Sequence, residues 1–292
     1  MTLHPWAHPC SEGFTLRGWH TTPRGKPLIH FLHGNGFCGR TYTPLLERLT
    51  PDFDLWLSDI QGHGDSDLGP RYLGWNRNAE LAMEAFKAQA GAFKGVPHLA
   101  MGHSLGGVLS ALLLAGHPRA FHKAVLLDPV LMSPAMLMGL SLADLTGTAS
   151  LTPLARQAIK RRHHWDSRDA AYAALHERGT YKGWVPEALR AFVDHALRDA
   201  PDGGVELKCP PSREAEVFSS GPERLWGSLG RVRVPTLALY GDHTMPFVRE
   251  GLQRWERVND AVTVTQVSGG HCFMQTNPAD TAERVRAWLL AP

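Results

Sequence analysis

The spacing of apolar positions along the chain changes character several times. KPLIHFLHG (26–34), FDLWLSDI (53–60), VPHLAMGHS (96–104) and KAVLLDPV (123–130) are short runs that are apolar almost throughout, each closed by turn-forming residues. That pattern predicts strands buried on both faces. Between them, TYTPLLERL (41–49), NAELAMEAFKAQAGAF (78–93) and LGGVLSALLLAGHP (105–118) carry apolar residues at helical spacing. FTLRGWHT (14–21) alternates and predicts an early edge strand. Late in the chain, VPTLALYGD (234–242) and AVTVTQV (261–267) predict two more strands, and FVREGLQRWERV (247–258) a helix. NPADTAERVRAWLL (277–290) opens on an Asn cap with Pro at the first helical position, a helix start.

Strand and helix alternate regularly over these stretches, so the fold class is α/β, a mostly parallel central sheet flanked by helices. From 131 to 230 the alternation stops. TPLARQAIKRRHHW, SRDAAYAALHERG and PEALRAFVDHALRDA read as helices, and strand signals are few. The expected organisation is a core of 1–130 and 231–292 with a helical cap, 131–230, inserted into it. Such a cap would cover the C-terminal edge of the sheet, where open α/β sheets bind ligands.

Composition narrows the possibilities. The 292 residues are 43% hydrophobic and 20% charged, with a net charge of +2, which fits a globular protein. So small a net charge gives no field to favour nucleic acid, and none is expected as a partner. The basic cluster KRRHHWDSR (160–168) reads as a solvated helix face, on which the adjacent His163 and His164 would point in different directions. No apolar run approaches the length of a membrane span and no secretory signal pattern is present, so no membrane partner and a cytoplasmic location are expected. The cysteines Cys10, Cys38, Cys209 and Cys272 are scattered, without the spacing of a disulfide framework or a metal site.

The chemistry gathers around GHSLGG (102–107). Ser104 lies in G-x-S-x-G between a predicted strand and a predicted helix, the context of a nucleophile elbow. There the serine adopts a strained backbone in a sharp turn, and glycines two positions either side avoid a collision. The helix starting at Leu105 aims free N–H groups at the site. A serine needs a base, and on such a sheet the order is Ser, then Asp or Glu, then His. SGGHCFM (268–274) supplies His271 as the general base. YGDHTMP (240–246) supplies Asp242 as the orienting acid, with Asp128 at the end of KAVLLD as its rival. An oxyanion hole requires two amides. Leu105 offers one, and HGNGF (33–37) the other, from Asn35 in first place or from Gly36 or Phe37. His33 reads as a brace for this loop.

With HGNGF, DIQGHGDSD (59–67), GHSLGG, YGDHTMP and GGHCFM in this order, the chain resembles the cap-bearing branch of the α/β-hydrolase fold superfamily over nearly its whole length. The resemblance implies that D-x-x-G-H-G-x-S is structural, leaving His63 and Asp65 without a catalytic role. One departure stands out. Many relatives place the acid three residues after the glycine, whereas Asp242 directly follows Gly241.

Serine at the elbow, where dehalogenating and epoxide-opening relatives carry aspartate, implies acyl chemistry. The expected function is a serine hydrolase cleaving a small or medium apolar carboxylic ester through an acyl-enzyme, with no metal and no organic cofactor. The alternatives are a C–C bond hydrolase of aromatic degradation or a weakly catalytic ligand-binding relative. The Met- and Leu-rich VLMSPAMLMGLSL (130–142) would contribute Met132 and Met136 to the substrate pocket, and Phe37, Trp226, Phe247 and Phe273 could line it.

Overall fold

A computed structural model describes residues 1–292 apart from the side chain of Leu151. The first strands, β1 (Leu3–Pro9) and β2 (Thr15–Thr21), form an antiparallel hairpin, and β2 pairs antiparallel with β4 (Asp54–Asp59). β3 (Leu28–Leu32), β5 (His98–His103), β6 (Lys123–Leu127), β10 (Thr236–Gly241) and β11 (Val262–Val267) complete an eight-stranded sheet. Its order is β1-β2-β4-β3-β5-β6-β10-β11, parallel from β4 onward. The strand predicted at 14–21 is β2, which is not the expected edge strand because β1 pairs on its outer side. β1 has no counterpart among the predicted elements, because LHPWAHP holds one buried residue, Trp6, between exposed neighbours.

Helices cover both faces. α1 (Thr43–Leu49), α2 (Trp75–Gln89) and α3 (Leu105–Gly116) follow the first parallel strands, and α10 (Pro246–Val258), α11 (Phe273–Thr276) and α12 (Pro278–Leu290) follow the last. Two apolar clusters result, one on each face of the sheet. Leu28, Trp56 and Leu126 point into one, and Ile29, Phe31 and Leu57 into the other. Neighbouring strand residues alternate between the two cores, which is why these runs are apolar throughout. α12 begins as its sequence predicts, with the Asn277 side chain accepting from the Asp280 amide.

Between β6 and β10 the chain leaves the sheet. It forms α4 (Pro134–Leu145), α5 (Pro153–Lys160), α6 (Arg168–Leu175), α7 (Pro186–His195) and α8 (Pro211–Phe218). α9 (Leu225–Leu229) already packs on α3, and its Leu225 and Leu229 belong to the first core cluster. This insertion also contains a small antiparallel sheet that the sequence reading missed, β7 (His164–Trp165), β9 (Val205–Leu207) and β8 (Leu197–Asp199). KRRHHWDSR is therefore not a solvated helix face. α5 ends at Lys160, Trp165 is buried in β7, and Arg161 is drawn inward.

Candidate active site

The elbow forms where β5 turns into α3. Ser104 has φ 54° and ψ −117°, a conformation that costs on the order of 1–3 kcal/mol and must be held by its surroundings. Its amide donates to Leu127 O at 3.0 Å, fastening the turn to the end of β6. The glycines on either side are demanded by space. A Cβ on Gly102 would sit 2.3 Å from Gly106 O, and one on Gly106 would sit 2.1 Å from Leu32 O.

His271, in the loop between β11 and α11, reaches the serine, with Nε2 2.9 Å from Ser104 Oγ. Its Nδ1 lies 2.5 Å from Asp128 Oδ2. Since a carboxylate only accepts, Nδ1 carries the proton and Nε2 is free to receive one from the hydroxyl. Asp128 is fully buried just after β6, in the left-handed region (φ 46°), which aspartate tolerates better than most residues. Its other partners come from the end of β10 and the loop that follows it. The Gly241 amide donates to Oδ1 at 2.9 Å and the Thr244 hydroxyl to Oδ2.

This geometry places Asp128, and not the expected Asp242, against His271. Asp242 does not approach the imidazole of His271; it accepts from the Gly269 amide at 2.9 Å and pairs with His243 at 2.6 Å on the surface. The Gly269 hydrogen bond and the His243 contact hold its carboxyl below the usual range. The loop that would have carried the acid instead supplies donors to Asp128. The local spacing of YGDHTMP, with the aspartate directly after Gly241, was the signal available in sequence.

A second network links the loops around the serine. The Gly34 amide donates to Tyr42 Oη at 3.1 Å, and the Tyr42 hydroxyl lies 2.7 Å from His103 Nδ1. His103 Nε2–H donates to His271 O at 3.0 Å. Burial, with the nearby His271 adding to it, pushes the His103 pKa well below its ordinary value. The ring is therefore neutral, and Nδ1 accepts from Tyr42. Sequence reasoning passed over both residues because His103 fills an unspecified position of the elbow's G-x-S-x-G pattern and Tyr42 lies outside it.

The HGNGF loop (33–37) lies beside the elbow. His33 is buried, donates from Nδ1 to Gly34 O at 2.8 Å and accepts from the Ile60 amide at 3.1 Å, while burial lowers its pKa to about 4. It braces the loop as expected. The Phe37 amide is used by Gly34 O at 3.2 Å, and the Gly36 amide faces Cys209. Among the described residues, the amides of Asn35 and Leu105 have no protein acceptor. The Asn35 side chain donates to Glu214 O at 3.1 Å and lies 3.0 Å from His63 Nε2, so both neighbours fix its position. Asp65 is engaged by Lys208 at 2.5 Å and by the Trp19 indole, a structural arrangement.

Above the serine is a cavity of about 1240 Å³, walled by the sheet's loops and by the insertion. Phe37, Met132, Met136 and Phe247 line it. Two expected lining residues do not. Trp226 donates its indole N–H to Met132 O and stacks under the Arg254 guanidinium, 4.3 Å from its ring centre. Phe273 is 2% exposed and packs into the second core cluster. Trp165, Tyr181 and Trp184 take their place in the wall, together with Arg161, whose guanidinium bonds Glu214 at 2.6 Å and Tyr181 Oη at 2.8 Å. Cys272, beside the histidine, is buried, and that burial pushes its thiol pKa up, away from reactivity.

Among the described residues, no group of three or more His, Cys, Asp or Glu side chains is placed to hold a metal, and no helix is long and apolar enough to cross a membrane.

Sheet order, elbow and insertion together define an α/β hydrolase, and the chain belongs to the alpha/beta hydrolase family, whose sequence profile matches residues 31–284. Among characterised proteins, it is 28% identical over 198 residues to the type I acyl-CoA thioesterase mpaH of Penicillium roqueforti, covering 62% of this chain and 43% of that protein. The chain thus spans less than half of that relative's length. It is 30% identical over 230 residues to the abhydrolase domain-containing protein AKT2 of Alternaria alternata, covering 66% of this chain and 83% of that protein. Of solved structures, E-2-(acetamidomethylene)succinate hydrolase superposes with a TM-score of 0.78 at 22% identity, covering 99% of this chain and 100% of that one. Identity that low speaks for the fold alone.

Proposed function

We propose that the protein is a serine hydrolase that cleaves apolar carboxylic esters or thioesters through an acyl-enzyme, with Ser104 as nucleophile, His271 as general base and Asp128 as orienting acid. The observation that carries the reading is the continuous relay from Ser104 Oγ through His271 to Asp128, at 2.9 and 2.5 Å, opening into a largely apolar cavity. In the first half-reaction Oγ attacks the carbonyl carbon as His271 Nε2 takes its proton. The oxyanion is received by the amides of Asn35 and Leu105. His271 then gives the proton to the departing alkoxide or thiolate. A water activated by the same nitrogen attacks the acyl-enzyme, and Ser104 regains its proton. Asp128 stays ionised throughout, fixing the tautomer and stabilising the imidazolium.

The cap role of the insertion and the assignment of Met132, Met136, Phe37 and Phe247 to substrate contact belong to the same proposal. The thioester option is supported by the acyl-CoA thioesterase among the relatives. p-Nitrophenyl esters of increasing acyl length, assayed with the wild type and with Ser104→Ala, test the reading. The expected result is turnover by the wild type that falls by about 10⁴-fold or more in the variant. A folded wild type without turnover, or a variant that retains it, would overturn the proposal.

A further inference from the structure

The cavity wall carries both apolar and cationic side chains. Met132 just before α4, Leu140 on α4, Val217 and Phe218 on α8, and Met245 and Phe247 around the start of α10 give it apolar surface. The end of α5 and the connection between α6 and α7 add Arg161, Arg162, Arg178 and Lys182, beside apolar Leu154 and Leu175. Against these four cations the wall has one carboxylate, Glu214, and it is already committed to Arg161 at 2.6 Å. Arg162 donates to His164 O and lies over the Trp165 ring. Arg178 and Lys182 are exposed and have no carboxylate within ion-pair distance among the described residues.

The positive surface continues outside. A shallow depression lined by Arg156, Gln157, Lys160 and Arg161 adjoins the cavity through Gln157 and Arg161, which line both. Arg156 and Lys160 likewise have no ion-pair partner among the described residues. The whole chain has a net charge of only +2, so this excess is local and not a reflection of a basic protein. Unpaired cations on a partly enclosed wall focus field toward an anion.

We propose that this wall binds an anionic group carried by the substrate, so that the ligand is amphipathic, with an apolar part against α4 and α8 and a phosphate or carboxylate against Arg178, Lys182 and the Arg156–Lys160 depression. The inference rests on the serine-hydrolase reading for the position of the bond that is cleaved, but not for binding itself. An ordinary small-ligand pocket holds 300–1,000 Å³. A cavity of about 1240 Å³ leaves room for such an extended molecule. The anion can belong to the leaving group, as in an acyl-CoA, or to the far end of the acyl chain, as in the monoester of a dicarboxylic acid.

Binding to the Ser104→Ala protein separates this question from turnover. Titrations with S-octanoyl-4′-phosphopantetheine and with S-octanoylpantetheine differ in the phosphate alone at the leaving-group end. Monomethyl suberate and methyl octanoate differ in the terminal carboxylate. One anionic ligand of the two pairs is expected to bind about tenfold or more tightly than its neutral counterpart, with a preference that shrinks as salt rises. Which pair shows it identifies the source of the anion. Adding Arg178→Gln and Lys182→Gln should reduce the preference about tenfold, and because the readout is a ratio on one preparation, a general loss of binding cancels. Equal binding within both pairs overturns the inference, as does a preference that salt and the double replacement leave intact. If the anion preference is found but the wild type turns over none of these compounds, the hydrolase reading fails and the binding wall stands.

Discussion

The two candidate acids differ in what surrounds them, and the difference makes a sharp test. Asp128 is fully buried and receives His271, Gly241 and Thr244, whereas Asp242 sits at the surface with Gly269 and His243. Asp128→Asn keeps the shape but presents either an amide N–H or a neutral oxygen to Nδ1. It no longer favours the tautomer with a free Nε2, and kcat is expected to fall about 10⁴-fold. Asp242→Asn should leave kcat within a few-fold, since its hydrogen bonds serve a loop on the surface. A pre-steady-state measurement of acyl-enzyme formation checks both, and the reverse ranking would return the acid to Asp242. Both aspartates end neighbouring strands after an apolar run, so the chain pattern treats them alike. Only the loop conformations separate them. The meeting of Ser104 with His271 could be anticipated because its signals are local, a glycine-flanked elbow and a glycine-bearing loop before the last helix.

At the scale of single elements, close approach of backbones does most of the positioning. α3 can descend onto β3 because Gly106 has no side chain; a methyl group there would overlap Leu32 O at 2.1 Å and His33 O at 2.5 Å. Gly106→Ala should therefore push α3 away from β3 and the loop after it, costing more than about 3 kcal/mol, and yield little folded protein. A urea midpoint near that of the wild type would show that the helix has room to shift. Periodicity located β3 to β6, β10, β11 and the core helices well, since each buries a run long enough to set its own period. β1 and the β7-β9-β8 sheet escaped for the opposite reason. Their strands are two to seven residues long and bury too few apolar positions to set a period; β7 forms only against the distant β9, while β1 and β8 pair with the strands that follow them. Which way an aromatic faces was equally invisible. Trp226 and Phe273 turn toward the core, while Trp165 and Trp184 reach the cavity.

The molecule as a whole buries an unusual number of histidines without their charge. Desolvation lowers His30 to about 3 and His33 to about 4, and pushes His63 and His103 well below the ordinary value. A histidine near 6.5 in the unfolded chain takes up a proton there before it does so in the fold, so the unfolded state gains as pH drops below about 6.5. Stability should fall between pH 6.5 and 4, by about 2 kcal/mol at pH 5 for each of His30 and His33. Asp59, whose buried carboxyl is raised to about 6, works in the other direction, binding its proton in the fold first and gaining stability as pH falls. One carboxyl against several histidines leaves the net sign unchanged. Urea denaturation at pH 7 and pH 5 reads this directly, and an equal or higher midpoint at pH 5 would refute it.

The order of strands and helices, the elbow with its two obligatory glycines and the histidine near the end of the chain follow from the sequence itself. Each depends on interactions among near neighbours, on period, turn chemistry and local crowding. The tertiary structure decided that Asp128 faces His271, that Asn35 and Leu105 have amides to spare, and that four cations share a wall with an apolar face. These are meetings between segments tens of residues or more apart, fixed by how loops leave the sheet and how the insertion folds back over it. A linear pattern holds no term for such distances, and the physics that sets them is the packing of the whole.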